Sequence, residues 1–584
     1  MATSGLPFPC ENTIDDHDGK QPCTLIKMLS KSLREQAEAA PHLMDYLHMV
    51  PIPKVGVPEF YPEVSRKLGE IEHPNLIYPV SEDTFIHIYP DLEDPRNYYI
   101  AIDPPVGMEI EDLLKEVERR LLDFVDILAQ AETKEERVNA LAEAVELICV
   151  VKGDDKPGNE GEDGKKKKSR ARSPRSSGRE GRLPVTRREL EILKYIILRD
   201  KIGMGALDPF IKDPNIEDIS CSGLGRVFVE HKVFKGLKSS IVFDTHEGLD
   251  DFVLRLSENI KKPATFKNPI IDAALSDGSR INIVYGGEVS KRGSNFTIRK
   301  FSEIPISILE LVGFSAMDYR MAAYLAMVVG DGMNLWVSGE TASGKTTLLN
   351  AITTFIRPDA KIVTIEDTPE LQVPHMNWIR EVVRMSGEAS QGASVDMFGL
   401  LRAALRQRPN AILVGEIRGE EGAVAFQAMQ TGHQVMSTFH ASTVEKLIQR
   451  ITGNPINVPK PYMDNLNVVV ICSAVRLPSG KLGRRVISIN EIIGYDLASD
   501  SFSFVEAFRW NPAEDVFEFL GNMNSYLLEN KVAPRHGLTP KNKRQIYAEL
   551  DKKATVLEKL AQQGTTNFHD LYQLLAKAQR EGLF

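Results

Sequence analysis

The segment that most constrains this chain is Gly339-Glu-Thr-Ala-Ser-Gly344-Lys345-Thr346. It satisfies GxxxxGK[ST], and it lies after the apolar run Asn334–Ser338 and before Thr347, Leu348, Leu349 and Ala351 at helical spacing. A strand, a glycine turn and a helix in that order belong to a parallel sheet with helices on its faces. Gly339 and Gly344 permit torsions that turn successive N–H groups inward, and those donors, with the helix N-terminus, stabilise phosphate charge. Lys345 is a point charge able to reach the β and γ phosphates, and the Thr346 hydroxyl can hold Mg2+. At average residue usage the bare pattern arises by chance in about one such chain in fifty, and the strand–helix setting lowers that further. Gly339, Thr341, Ala342, Ser343, Gly344, Lys345, Thr346 and Thr347 therefore read as a binding loop for ATP and Mg2+.

Three further polar clusters each follow an expected strand. Lys361–Ile365 runs into Glu366-Asp367-Thr368-Pro369-Glu370, and Ala411–Val414 into Gly415-Glu416-Ile417-Arg418. Val435–Ser437 runs into Thr438-Phe439-His440, with Gly432-His433 just before it. In an open parallel sheet, ligands bind outside the carboxyl ends of the strands, so all three clusters and the phosphate loop are expected on one edge. Hydrolysis of a nucleoside triphosphate needs a metal, an oriented water and charge neutralisation. Glu416 stands where a metal-associated or water-polarising carboxylate belongs, and Glu366 is a second carboxylate for the water; either fits the general base. His433 and His440 are candidates for sensing the γ-phosphate or for relaying its presence to a neighbouring subunit. A carboxylate at a strand end is, alone, more often a helix cap or a solvated charge. Three clusters in order behind one phosphate loop favour chemistry. A zinc site at the two histidines lacks an evident third ligand.

The 584 residues are enough for three or four domains of about 150 residues each. With 71 Lys+Arg against 81 Asp+Glu, the net charge of −10 argues against a chain that coats nucleic acid. Cys10, Cys23, Cys149, Cys221 and Cys472 are too far apart for a CxxC zinc ribbon and argue against a disulfide framework, so a reducing setting is expected. The start carries Glu11, Asp15, Asp16 and Asp18 and lacks the apolar core of a signal peptide. Apolar runs such as Leu466–Val475 fall short of the ~20 residues a membrane span needs. From Lys152 to Arg182 the chain is Gly, Ser, Pro and charge, with acidic residues first and a basic run, Lys165–Arg182, after them. That composition predicts a disordered tether, and the basic run is a candidate contact for anionic lipid headgroups or nucleic acid. The expected organisation is a disordered N-terminus at 1–23, an α+β module at 24–150, a charged linker at 151–183, a second α+β domain at 184–305, the parallel-sheet domain at 306–535 and a helical segment at 536–584.

GETASGKTT, VTIEDTPEL, the LLRAALRQRP segment from Leu400 to Pro409, VGEIRGEE and TGHQVMSTFHAST follow one another in this order. With them the chain resembles the motor ATPases of the type II/IV secretion, type IV pilus and archaellum superfamily, in which these segments are Walker A, the aspartate box, Walker B and the histidine box. HMNWIREVVR and NPINVP are similar to the archaeal branch. The resemblance covers residues 184–530. It implies a RecA-like P-loop ATPase core preceded by a PAS-like α+β domain, built here behind an additional N-terminal α+β module. It implies a homohexamer at the cytoplasmic face of the cell membrane, working with a polytopic platform protein and, indirectly, with pilin-like or filament subunits. It assigns Lys345 and Thr346 to phosphate and Mg2+, Glu366 and Glu416 to water and metal, and His433 and His440 to the histidine box. Such enzymes also lend arginines from the PAS-like domain to the phosphates. Arg280, after Asp277-Gly278-Ser279, and Arg299, after Phe296-Thr-Ile, stand in the matching region and are preferred over Arg292. Many bacterial members carry a tetracysteine zinc element in the ATPase domain; Cys472 alone stands there, which disfavours the bacterial type II subgroup.

The expected function is ATP hydrolysis that drives pilus-like filament assembly or protein secretion, with the archaellum motor as a close variant. A nucleic-acid-translocating ring is a reading from another class, disfavoured by the acidic balance and by a linker without interleaved aromatics; no specific nucleic acid is expected. A nucleotide-binding scaffold without turnover is the third.

Overall fold

The computed structural model describes residues 3–8, 24–65, 68–69, 71–104, 108–128, 130–131, 133–152, 182–275, 277–301, 305–384, 395–480, 482–582 and 584. The basic run lies outside the described residues, except for Arg182. The chain forms two compact units, Met1–Phe301 and Ser302–Phe584. No helix among the described residues is long and apolar enough to cross a membrane.

The first unit contains strands β1 (Thr3–Ser4), β2 (Glu59–Phe60), β3 (Leu76–Ser81), β4 (Thr84–Tyr89), β5 (Tyr98–Ile102), β6 (Cys149–Val151) and β7 (Leu183–Val185). It continues with β8 (Ile216–Cys221), β9 (Gly225–His231), β10 (Lys235–Phe243), β11 (Ile270–Ala274), β12 (Arg280–Val284) and β13 (Asn295–Arg299). One sheet takes the order β11-β12-β13-β8-β9-β10-β5-β4-β3-β2. It therefore joins strands from 24–150 to strands from 184–305, the two stretches expected as separate modules. Lys238 and Ser239 of β10 pair in parallel with Tyr98 and Tyr99 of β5. Beneath this seam, the buried Asp213 carboxylate accepts from the Tyr78 hydroxyl at 2.6 Å and the Tyr99 hydroxyl at 2.9 Å. The helices Met108–Leu121 and Lys134–Ile148 pack against Arg187–Lys201 through Val117, Val145, Leu193 and Ile196. Two of these helices start at Thr–Glu capping boxes, Thr133 with Glu136 and Thr186 with Glu189. The expected disorder at 1–23 does not hold for residues 3–8. Thr3–Ser4 pairs antiparallel with Ile241–Val242, and Phe8 is buried against Tyr46 and Tyr89, because an apolar ring is more stable in that cluster than in water.

The second unit holds β14 (Leu335–Gly339), β15 (Ile362–Glu366), β16 (Trp378–Val382), β17 (Ala411–Ile417), β18 (Gln434–Phe439), β19 (Val468–Arg476), β20 (Leu482–Asp496), β21 (Ser501–Asn511) and β22 (Val516–Phe519). Their order is β16-β15-β17-β18-β14-β19-β20-β21-β22. The strands from β16 to β19 run parallel, and β20 to β22 continue the sheet antiparallel. This is the RecA-like α/β architecture. Strands β14, β15 and β18 are buried along their whole length, as the near-continuous apolar runs of a two-faced parallel sheet require. The helix Tyr319–Gly330 covers one face together with Ile546–Gln562, and Glu421–Gln430 lies on the other. The buried Glu491 carboxylate accepts from Tyr324, Ser525 and the Leu527 N–H, tying the stretch just before the C-terminal helices to the sheet.

Candidate nucleotide-binding site

The phosphate loop leaves the carboxyl end of β14. Gly339 sits opposite Cys472 of β19, and a Cβ on Gly339 would stand 2.2 Å from the Cys472 carbonyl oxygen. Only glycine fits that approach. Gly344 adopts the left-handed conformation at φ 92° and caps the helix Lys345–Ile352, whose first turn holds Lys345, Thr346 and Thr347. Thr341 and Ala342 are exposed at the loop tip, and Ser343 donates to the Glu340 carbonyl at 2.8 Å. Lys345 Nζ donates to the same carbonyl at 2.9 Å. Burial lowers its pKa, and the nearby Glu416 opposes that shift.

Two carboxylates stand at the ends of neighbouring strands. The pairing of β17 with β18 slips between Val414 and Glu416, a bulge that re-aims the Glu416 side chain. Glu416 Oε2 accepts from Arg418 Nη2 at 2.5 Å, while Oε1 is buried, has no hydrogen-bond partner, and lies 3.6 Å from His440 Nε2. Arg418 also reaches Asp367 at 3.3 Å, so its guanidinium bridges the ends of β17 and β15. Glu366 is 1% exposed. Its Oε1 accepts from the N–H groups of Glu370 at 2.8 Å and Leu371 at 2.7 Å. Its Oε2 is buried without a hydrogen-bond partner, 3.8 Å from Arg380 Nε. Burial pushes the Glu366 carboxyl up to about 7 against those two hydrogen bonds. Gly415 lies against it, since a Cβ there would come 3.2 Å from Glu366 Cγ.

His440 leaves the end of β18, 3.5 Å from Thr341 Oγ1. Burial first, and Lys345 second, lower its pKa, so the ring is mainly neutral at pH 7. Arg450 donates to the His440 carbonyl and stacks on Phe439 at 5.0 Å. A cleft of about 380 Å³ opens beside Gly339, Glu340 and His440, with Lys446 and Arg450 in its wall.

Lys345, Glu416 and His440 thus meet at the phosphate loop, and Glu366 ends the strand next to Glu416. His433 does not join them. It precedes β18 at the opposite end of the strand, roughly 20 Å of extended chain from His440, and its Nδ1 lies 3.0 Å from Thr431 Oγ1 and 3.3 Å from the Ala428 carbonyl oxygen. A parallel strand delivers only its carboxyl end to this edge, so the expectation that His433 senses the γ-phosphate is corrected. Arg280 and Arg299 belong to the first unit, where they are register partners on β12 and β13. Arg280 pairs with Asp272 at 2.6 Å and Arg299 with Asp218 at 3.2 Å, beside a cleft of about 650 Å³ over the exposed sheet face. Two residues that the sequence reading left without a role emerge here. Arg418 stands inside the VGEIRGEE segment, but its bridge depends on the bulge. Arg450 lies on the next helix, ten residues beyond His440.

Buried carboxylate oxygens without donors beside a loop lysine are what a metal–nucleotide site presents, so this donor set fits Mg2+ with ATP. Residues 201–476 match the family described as type II/IV secretion system protein. An uncharacterized protein of Methanocaldococcus jannaschii is 40% identical over 561 residues, spanning 96% of this chain and 98% of its own. The type IV secretion system protein VirB11 of Bartonella quintana is 30% identical over 284 residues, or 42% of this chain and 78% of that protein. The type IV secretion system protein PtlH of Bordetella pertussis is 31% identical over 273 residues, covering 42% and 79%.

Proposed function

The chain belongs to the type II/IV secretion system protein family, and from that premise we propose that it is a Mg2+-dependent ATPase whose turnover drives pilus-like filament assembly or protein secretion. What carries this is the juxtaposition of Lys345, Glu416 and His440 on one sheet edge, with buried Oε1 of Glu416 lacking a protein donor. Gly339 to Thr347 hold the phosphates in this reading, and Thr346 and Glu416 hold the metal. When bound, the metal neutralises phosphate charge and polarises water. The chain's own groups do the rest. Glu366, with its carboxyl raised to about 7, accepts a proton at Oε2 near neutral pH. Arg418 keeps Glu416 Oε2 occupied, so Oε1 faces the loop. The neutral His440 ring offers one donor or acceptor next to Thr341. Arg280 and Arg299 are proposed to neutralise phosphate charge, as the family resemblance implies. The proposed assembly is a homohexamer of the archaeal branch at the cytoplasmic face of the membrane. Its partners are a platform membrane protein and pilin-like subunits, and Lys165–Arg182 touches anionic lipid.

The test compares ADP binding and Mg2+-dependent phosphate release in wild type, Lys345→Ala and Glu416→Gln. Lys345→Ala is expected to weaken binding. Glu416→Gln is expected to bind normally and lose turnover on the order of a hundredfold. Binding without phosphate release in wild type, with or without a lipid vesicle, would leave only a scaffold. Stimulation by DNA and not by lipid would favour a translocase. The membrane protein that co-purifies with the chain separates pilus, secretion and archaellum roles.

A further inference from the structure

We propose that Arg484 is a further nucleotide-binding residue, placed on the flank of the phosphate loop opposite the carboxylates, where it takes the α-phosphate. The inference rests on the nucleotide reading above. Strand β14 lies between β18 and β19. Glu416 and His440 come from the β17–β18 side, so the groups that handle water and metal occupy that flank. With the γ-phosphate held at those groups, we place the α-phosphate on the other side of the loop, toward β19.

On that side the sheet does not stop at the loop. β19 pairs with β14 up to Cys472, opposite Gly339, and then runs on through Ser473–Arg476. It turns and returns as β20, with Arg484 opposite Ala474. This hairpin overhang brings the stem of Arg484 against the loop. Its Cδ lies 3.6 Å from where a Cβ on Gly344 would stand, and Gly344 presents bare left-handed backbone there. The side chain is exposed and makes no hydrogen bond or ion pair among the described residues. The neighbouring Arg485, by contrast, is engaged, bidentately with Asp515 at 2.7 and 2.8 Å. A guanidinium without a counter-ion among the described residues therefore stands beside a loop that already carries Lys345. A planar, permanently charged fork is suited to two oxygens of one phosphate.

The experiment measures the affinities of ADP and AMP-PNP by calorimetry in the full chain, with Mg2+, for wild type, Arg484→Gln, Arg484→Glu and Lys345→Ala, and turnover at saturating ATP. Arg484→Gln should weaken ADP and AMP-PNP equally, by about tenfold each. Arg484→Glu should weaken both further, and kcat should stay within about threefold in both variants, since the residue binds and does not react. An exposed stem makes misfolding easy to exclude by an unchanged Tm. The proposal is overturned if Arg484→Gln binds ADP like wild type while Lys345→Ala does not. It is equally overturned if the loss is confined to AMP-PNP, which would place the residue at the γ-phosphate, or if Glu is no worse than Gln. If wild type fails to bind ADP, or Lys345→Ala binds it normally, the nucleotide reading itself falls, and this inference with it.

Discussion

At the scale of single residues, the two carboxylates differ in surroundings although both end a strand. Glu366 is buried, and its carboxyl is raised to about 7 by loss of water. A carboxyl raised above its unfolded value of about 4.5 holds its proton longer in the native state. Its stabilising contribution is complete below about pH 4.5 and is lost as pH rises through about 7. Glu366→Gln resembles the neutral acid and keeps an oxygen for the Glu370 and Leu371 N–H groups. The variant should match wild type in Tm near pH 5 and exceed it near pH 8, with a difference of up to about 3 kcal/mol, while losing turnover on the order of a hundredfold or more. Melting curves from pH 5 to 8 decide it, and a constant Tm difference would show that the carboxyl is not raised. The position of Glu366 after an apolar strand was legible in the sequence. Its burial was not, because Gly415, which closes over it, lies on a later strand, and the turn that brings the Leu371 N–H back onto it leaves no pattern in the sequence.

Secondary-structure elements explain which clusters meet. Strand–loop–helix order and a parallel sheet were legible from Asn334 to Ala351 and from the apolar runs that precede Glu366, Glu416 and His440. The sequence already set His433 before the strand and His440 after it, and the parallel pairing of β18, Gln434–Phe439, fixes that only the His440 end reaches the phosphate loop. Arg484 was invisible in the sequence. Nothing near it in sequence reports that the β19–β20 hairpin overhangs the loop. The same strand contact makes Gly339 a sharp test of the element. A methyl there would stand 2.2 Å from the Cys472 carbonyl, which is backbone in a paired strand and has nowhere to move. Gly339→Ala should therefore displace the loop from β19, raising the Kd for ADP by at least about tenfold, a cost of roughly 1.4 kcal/mol or more, and lowering Tm. Calorimetry beside a melting curve measures both. Wild-type affinity in that variant would mean the loop does not pack on β19 as described.

At the scale of the whole chain, composition drew a boundary that packing does not respect. The change to Gly, Ser, Pro and charge at Lys152–Arg182 reads as a divider between modules, yet the strands before and after it share one sheet. Leu76, Tyr78 and Tyr99 lie in one buried cluster with Ile216, Val229 and Leu237. Pulling the segments apart would expose side chains worth about 1.5–3 kcal/mol each when buried. It would also strip the buried Asp213 carboxylate of both tyrosine donors. Proteolytic cleavage within residues 153–181 should accordingly leave the piece before the cut bound to the piece after it, and the two should co-elute in gel filtration. Asp213→Ala removes the acceptor that Tyr78 and Tyr99 share, leaving Tyr78 only His231 Nε2 at 3.2 Å and Tyr99 without that acceptor, and should make the cleaved pair dissociate faster and melt lower than cleaved wild type. Two fragments that separate at once in wild type would mean that the seam between β5 and β10 contributes little, and that the compositional boundary is a true domain boundary after all.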